Sequence, residues 1–585
     1  MKQIKLRAHI IIAATMLIFL YACKKSTTST PPPPPPPPPV VDTTVVIAPA
    51  IDPSLANTIG FFMDDWQPKN FSVPSSFDSP AVPASADNTV TIDRSNIITK
   101  ISRSLFGNNA NIWMSQMVTE PSLLDHITTI HPHIIRFPGG SISDVFFWNA
   151  QKNTPPADAP TNLLNAAGAS SPAGFWFGKN SESWTFSVDN YYSMLQQTAN
   201  QGMITINYGY ARYGTGINPV AAAAHLAADW VRYDNGRTKY WEIGNENFGD
   251  WEAGYRIKLA DNKDGQPEFL SGQLYGQHFK IFVDSMKKAA LEIGKTIYIG
   301  AVTYDAAPQS WMTETTKNWN TGLFSAAANS PDYNILHSYY TPYNSNSNAD
   351  VILNTPATVT QTTMDYVKQS ITGAGLTTKP IILGEWNIFA VGSKQQVSHI
   401  NGLHAVMVLG ETMKNKFGMT ARWDLANGWG NGDDHGMFNI GDEPDGVPKW
   451  NPRPAFYHMY FFQKYLGDRM VSSTSTSSDI ISYASSFTSG EVGVTLINKS
   501  ASEKTVEVKV QNFRKGNKYY WYTLTGGGDN GEFSRKTLVN GAGPTGAAGG
   551  PANYKTINPN AASAANALRV TVPARSAVYM AIDKK

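Results

Sequence analysis

The sequence predicts an α/β protein: a (β/α)8 barrel followed by a C-terminal β-sandwich. Three observations carry the prediction. Eight short, β-branched apolar runs alternate with longer helical stretches between residues 104 and 424. Two of those runs lead into a glutamate that follows a glycine by one or two residues, at Glu246 and Glu385. Past Gly467 the texture changes to Ser/Thr-rich, alternating runs separated by Gly- and Pro-rich loops, which is how sandwich strands read.

The barrel strands are expected at Ser104–Asn108, Ile134–Phe137, Met203–Tyr208, Tyr240–Asn245, Ile297–Val302, Tyr333–His337, Ile381–Glu385 and Thr420–Asp424. Helical periodicity fills several of the gaps, at Val220–Tyr233, Tyr275–Ile293 and Val397–Lys416. A barrel domain over 97–466 is larger than the usual ~250 residues, so enlarged loops are expected. An open doubly wound sheet is the alternative, disfavoured because no Gly-rich phosphate fingerprint follows an early strand. The sandwich, 467–585, is read from Val492–Ile497, Val506–Val510, Tyr519–Tyr522 and Ala577–Ile582. The segment 51–96, with Thr89-Val90-Thr91-Ile92, is a candidate to add a strand to it.

The N-terminus reads as an address. Lys2, Lys5 and Arg7 precede an apolar run from Ile10 to Tyr21, too short for an ordinary membrane span and shaped like an export signal. It closes on Leu20-Tyr21-Ala22-Cys23, which resembles the bacterial lipobox, so residues 1–23 are expected to be a lipoprotein signal with Cys23 as the lipidated residue. Cys23 is the sole cysteine of the chain and has no intramolecular disulfide to form. Residues 24–50 then form a stalk around nine prolines, Pro31–Pro39, extended at ~3.1 Å per residue. The expectation is an exported lipoprotein of the cell envelope or surface, held to a membrane by its lipid.

With 47 Lys and Arg against 45 Asp and Glu, the net charge of +2 gives no reason to expect a nucleic-acid partner. The 15 tryptophans suit stacking on sugar faces, though large cores also take up aromatics. Active sites of such barrels lie at the C-terminal ends of the strands. Strand four ends Trp241-Glu242-Ile243-Gly244-Asn245-Glu246, where alternation would point Glu242 and Glu246 the same way, and strand seven ends Gly384-Glu385-Trp386-Asn387. These strands face each other across a barrel, so the two glutamates can flank one glycosidic bond, one protonating the leaving oxygen and the other attacking the anomeric carbon.

Gly244-Asn245-Glu246 and Gly384-Glu385-Trp386-Asn387 resemble the acid/base and nucleophile motifs of clan A glycoside hydrolases, most closely those of the family 51 α-L-arabinofuranosidases. Arg136-Phe137-Pro138-Gly139-Gly140 with Trp148, Gly249 with Trp251, and His337-Ser338-Tyr339 fall in the same order on the expected strands. The resemblance implies a retaining glycosidase acting on plant or algal polysaccharides or their oligosaccharides. Glu246 would be its acid/base and Glu385 its nucleophile. Asn245, Arg136, His337, Tyr339, Trp386, Trp148 and Trp251 would surround the substrate. It implies no metal and no cofactor, and neither His131-x-His133 nor Asp433-Asp434-His435 makes a strong ligand set. The strand-one run Gly107-Asn108-Asn109-Ala110-Asn111 lacks the family's sugar-binding glutamate, and Ser141 replaces its Asn or Cys. An endo-acting glycanase of the same clan and a non-catalytic glycan-binding lipoprotein therefore stand as alternatives. The second of these would be expected to lose a carboxylate, and both are present.

Overall fold

A computed structural model describes residues 47–343, 345–389, 395–430, 434–528 and 531–585. The export signal, Cys23 and residues 24–46 of the stalk lie outside the described residues. Among the described residues, no helix is long and apolar enough to cross a membrane.

Eight parallel strands close into a barrel: Gly107–Asn109, Ile134–Phe137, Gln201–Ile206, Tyr240–Ile243, Tyr298–Val302, Tyr333–Tyr339, Ile381–Asn387 and Met419–Arg422. Closure comes from strand eight pairing with strand one, Ala421 opposite Gly107. Each strand is followed by a helix, as the alternation of the sequence predicts; the last, Pro454–Tyr465, follows strand eight. Side-chain caps set where several of them begin. Ser187, Asn218, Ser271, Asn348 and Ser398 each accept the backbone N–H three residues on, satisfying a donor the helix itself leaves open.

The first strand starts later than its sequence suggests. Ser102 accepts a bond from the Ser104 N–H and folds Arg103–Phe106 into a 3-10 turn, so strand one runs only over Gly107–Asn109. Strand four is also short. It ends at Ile243 because Gly244 takes φ +78°, where a Cβ would collide with the Asn247 side chain.

The segment before the barrel does two jobs. Gly60–Met63 forms a short turn that carries Phe61 and Phe62 into the bottom of the barrel, against Ile134, Met203, Tyr240, Tyr333, Ile382 and Met419. Asn88–Lys100 then enters the C-terminal sheet, antiparallel to Arg469–Ser475 and parallel to Lys504–Gln511. This ten-stranded sheet curls around its own apolar core. Val90, Val494, Leu496, Val506, Leu568, Val578 and Met580 meet inside, and the Tyr519 hydroxyl donates to the Arg569 carbonyl on a distant strand.

Helix His399–Lys414 is buried on nearly every face, as a helix held between two layers must be. The barrel lies on one side and the sheet on the other, where the Tyr483 hydroxyl donates to Glu411 at 3.0 Å. His458 on the last helix meets the Tyr579 hydroxyl at 2.8 Å. These polar pairs fix the sheet against the barrel.

Candidate active site

At the C-terminal end of the barrel, three carboxylates and two cationic side chains converge. Arg136 leaves strand two and is fully buried. Its Nε donates to Glu242 at 2.6 Å, one terminal nitrogen to Asn109 at 2.8 Å and to Glu385 at 3.3 Å, and the other to Asn245 at 2.9 Å. The planar fork of arginine suits this task, because it reaches several acceptors on different strands at fixed angles. His337, from strand six, lies 2.9 Å from Glu246 through Nδ1, with Glu242 and Glu385 oxygens 3.7 and 3.8 Å away. Tyr339, two residues further on the same strand, donates its hydroxyl to Glu385 at 2.6 Å.

The alternation that pointed Glu242 and Glu246 the same way breaks at Gly244, so Glu246 sits on a turn beyond the strand with φ +43°. That conformation costs a non-glycine residue of order 1 kcal/mol and recurs where a side chain must be aimed. Both glutamates nevertheless meet His337, one beneath it and one at the mouth. Trp251, on the loop after strand four, donates its indole N–H to Glu246 at 3.3 Å.

The charges explain the ionisation. Burial alone would raise Glu242, but Arg136 and His337 hold it down, to about 2. Burial would likewise lower His337, yet the Glu385 charge and the bonds to Glu242 and Glu246 raise it to about 10. Burial pushes the Glu385 carboxyl up, and the Glu246 charge adds to that push against His337, Arg136 and Tyr339.

Oxygen and nitrogen atoms of Glu246, His337 and Glu385 lie within 4.8 Å of one another, a spacing that a metal ion could bridge. Here the same groups are already engaged: His337 with Glu246, and Arg136 and Tyr339 with Glu385. The protein's own cations fill the electrostatic role. Within the His131-x-His133 and Asp433-Asp434-His435 sequences, His133 is tied to Asp65 at 2.6 Å and Asp434 to Arg453 at 2.5 Å.

Glu246, Glu385, Asn245, Arg136, His337, Tyr339 and Trp251 come together. Trp148 and Trp386 do not. Trp148 stacks on Trp230 and donates to the Leu226 carbonyl, buried among helices, because the chain turns outward after Phe147. Trp386 follows Glu385, so strand alternation sends its side chain away from the barrel axis into the fully buried layer beneath the helices. The remaining loop aromatics also divide. Phe146, Phe147, Tyr208, Tyr210 and Tyr340 are core, whereas Trp184, Trp251 and Trp311 are 48, 62 and 77% exposed on loops after strands two, four and five.

Three further residues shape the site, and sequence reasoning missed two of them, Asp144 and Glu252. Trp423 lies against Gly140, whose φ of +65° and missing Cβ admit the ring; a Cβ there would stand 2.7 Å from it. Asp144 accepts from the Tyr208, Gly209 and Asn245 backbone N–H groups and from the Asn247 amide, pinning the turns after strands three and four. Glu252 is buried beside Asn245. Only the carboxyl residue type could have signalled the last two.

No family profile matches the chain, and no curated protein does. Solved structures do. The α-L-arabinofuranosidase of Thermotoga maritima in its arabinose complex superposes with a TM-score of 0.56 over 85% of this chain and 99% of its own, at 16% identity. The family 51 enzyme of Thermotoga petrophila gives 0.58 at 16% identity over 85 and 100%. The family 44 xyloglucanase of Paenibacillus polymyxa gives 0.53 at 11% identity over 85 and 99%. The chain shares the fold of these solved structures. The likeness is one of architecture, and the (β/α)8 barrel with an appended β-rich region is the one the sequence motifs imply.

Proposed function

We propose that the protein is a retaining glycoside hydrolase in which Glu385 attacks the anomeric carbon and Glu246 serves as general acid and then general base. The observation that supports this best is the spacing of the pair, whose nearest oxygens are within 4.8 Å. Retaining enzymes hold their carboxyls ~5–5.5 Å apart, whereas inversion needs ~6.5–9.5 Å to seat a water between acid and base.

The surroundings suit the division of labour. Tyr339 and Arg136 each donate to one oxygen of Glu385, stabilising its anion and orienting it for attack. Glu246 bonds the Trp251 N–H and His337 and keeps some exposure at the mouth, where a leaving oxygen can reach its proton. Asn245 is placed between Arg136 and the mouth to bond the sugar 2-hydroxyl, a contact that strengthens as the oxocarbenium-like transition state forms.

The favoured substrate is an α-L-arabinofuranosyl-bearing polysaccharide or oligosaccharide. A second reading, internal cleavage of a glycan backbone, draws support from a specific observation. Asn109 donates to the Gly384, Ala421 and Arg422 carbonyls, Asn111 donates to Asp424, and Ser141 donates to Glu252, so these strand-one and strand-two side chains are engaged within the protein. Trp184, Trp251 and Trp311 meanwhile offer exposed faces for stacking. NMR of the first-formed anomer, on aryl arabinofuranosides, glucosides, xylosides and galactosides beside a polysaccharide panel, tests both. Retention supports the mechanism and inversion refutes it. Release of arabinose alone favours the first reading, and mid-chain cuts favour the second.

We also propose that the chain is exported and lipidated at Cys23, with the proline stalk spacing the barrel from a membrane. The charged and apolar leader, the lipobox-like sequence and the sole cysteine support it. Detergent phase partitioning of wild type and Cys23→Ser tests it. Equal recovery of both in the aqueous phase counts against the anchor.

A further inference from the structure

Glu252 lies six residues beyond Glu246 on the same loop and is 4% exposed. Its Oε1 accepts from the Ser141 hydroxyl at 2.7 Å and from the Asn245 side-chain nitrogen at 2.9 Å. Its Oε2 is buried and has no partner among the described residues. The Asn245 oxygen in turn accepts from Arg136, whose other terminal nitrogen reaches Glu385. A line of hydrogen bonds thus runs from Ser141 through Glu252, Asn245 and Arg136 to the opposite carboxylate.

An asparagine amide is nearly symmetric in shape and wholly asymmetric in chemistry. Here its oxygen must face Arg136, because the reversed amide would set N–H against a guanidinium N–H. What enforces that choice is an acceptor on the other side, and Glu252 supplies it. We propose that Glu252 is a positioning residue for the proposed glycosidase reaction, locking the Asn245 amide with its nitrogen toward Glu252 and its oxygen toward Arg136, with Ser141 holding the Glu252 carboxyl in place. One N–H of Asn245 is thereby left for the sugar, and Arg136 keeps its reach to Glu385.

The carboxyl acts as a neutral acid. An ionised oxygen buried without a partner costs far more than a neutral one. Burial comes first, and the charges of Asp144 and Glu246 push in the same direction; the Ser141 and Asn245 bonds oppose them, leaving Glu252 well above the usual carboxylate range. A neutral Glu252 also spares Glu246 a further negative neighbour. The Ser141 that departs from the family 51 pattern has a role of its own here: it donates to this carboxyl.

The inference rests on the glycosidase reading but is tested apart from it. Glu252→Gln retains an acceptor oxygen for both Ser141 and Asn245, and Glu252→Ala removes it. In crystal structures of the full-length variants, the 2.9 Å contact between Arg136 and Asn245 should persist in Glu252→Gln and open in Glu252→Ala. On an aryl glycoside turned over by the wild type, Glu252→Ala should lose roughly 10²-fold in kcat with KM little changed, the scale expected of a misplaced reacting group. Glu252→Gln should recover kcat to within about 2-fold and superimpose on the wild-type pH profile, since a neutral group replaces a neutral group. Ser141→Ala, at an exposed position, should lower kcat a few-fold without changing the melting temperature. An unmoved Asn245 in Glu252→Ala, equal losses in the Gln and Ala variants, or a displaced alkaline limb in Glu252→Gln would each overturn the proposal. A wild type inactive on every glycoside would instead defeat the glycosidase reading, while the crystal structures still decide the locking of Asn245.

Discussion

Arg136 Nε lies 2.6 Å from Glu242 Oε2, and neither side chain has any exposed surface. A buried pair of this kind contributes little net stability when intact, but removing one partner strands a charge away from water. Arg136→Met should therefore destabilise the protein by about 3–5 kcal/mol, visible as a lower denaturant midpoint, through the stranded Glu242. It should also cut activity, because Glu385 loses its neighbouring cation. A variant as stable as wild type would show that the pair is not the keystone its geometry describes.

The pattern of the barrel was legible because each βα unit repeats the same physical demand: a short β-branched run that pairs, then a helix with one apolar face. The two carboxylates proposed for catalysis were legible because each follows the apolar run of a barrel strand and a glycine. What escaped was set by the third dimension. Phe61 and Phe62 read as part of a nondescript segment, and only closure of the barrel shows that its bottom needs a plug. Trp148 and Trp386 carry the right residue type in the right motif, yet the direction of a side chain at a strand end depends on one step of alternation or one turn of the loop. Asp144 and Glu252 lie in no strand and bond across turns that the sequence cannot bring together.

His337 makes the stability pH-dependent. Its value is raised from 6.5 to about 10 in the folded protein by the Glu385 charge and the Glu242 and Glu246 bonds, despite burial. A raised value means that the folded state holds the proton more tightly. The stabilisation is complete below the unfolded value of 6.5 and is lost as the pH rises through about 10. Melting temperatures of wild type should fall across that window, and those of His337→Gln should fall less. Equal slopes would remove His337 as the source. Glu242 has the opposite sign: held down to about 2 by Arg136 and His337 against burial, it gives stability above the ordinary value of 4.5 that is lost as the pH drops toward 2.

Trp251 and Trp148 separate substrate contact from packing. Trp251 is 62% exposed and touches Glu246, so Trp251→Ala should change stability by less than ~0.5 kcal/mol while raising KM. Trp148 is 6% exposed and stacked on Trp230, so Trp148→Ala should cost about 3–5 kcal/mol and leave KM of the surviving folded fraction near normal. Thermal melts beside Michaelis kinetics on soluble protein distinguish the two. A reversed pattern would place Trp148 in the cleft and contradict its position in the core.

The two glutamates should fail in different ways. Glu385 accepts from Tyr339 and Arg136, the bonds of a group that acts as an anion, so Glu385→Ala removes the only atom proposed to attack and should abolish turnover on every substrate. Glu246→Ala removes a proton donor, a loss that depends on how badly the leaving group needs a proton. Natural glycans, with basic leaving oxygens, should lose activity by about 10²–10⁴-fold. An activated aryl glycoside should still form the glycosyl-enzyme, which then waits for a nucleophile because no base activates water. Azide, an anion that needs no base, should speed its breakdown and yield a glycosyl azide of retained configuration. With the oxygens of the pair within 4.8 Å, a small anion can take the place of the missing carboxylate. Mass spectrometry of the trapped enzyme and NMR of the azide product read both steps. Rescue of Glu385→Ala rather than Glu246→Ala with retention would exchange the two roles, and near-normal turnover by Glu385→Ala would leave the proposed nucleophile without a function.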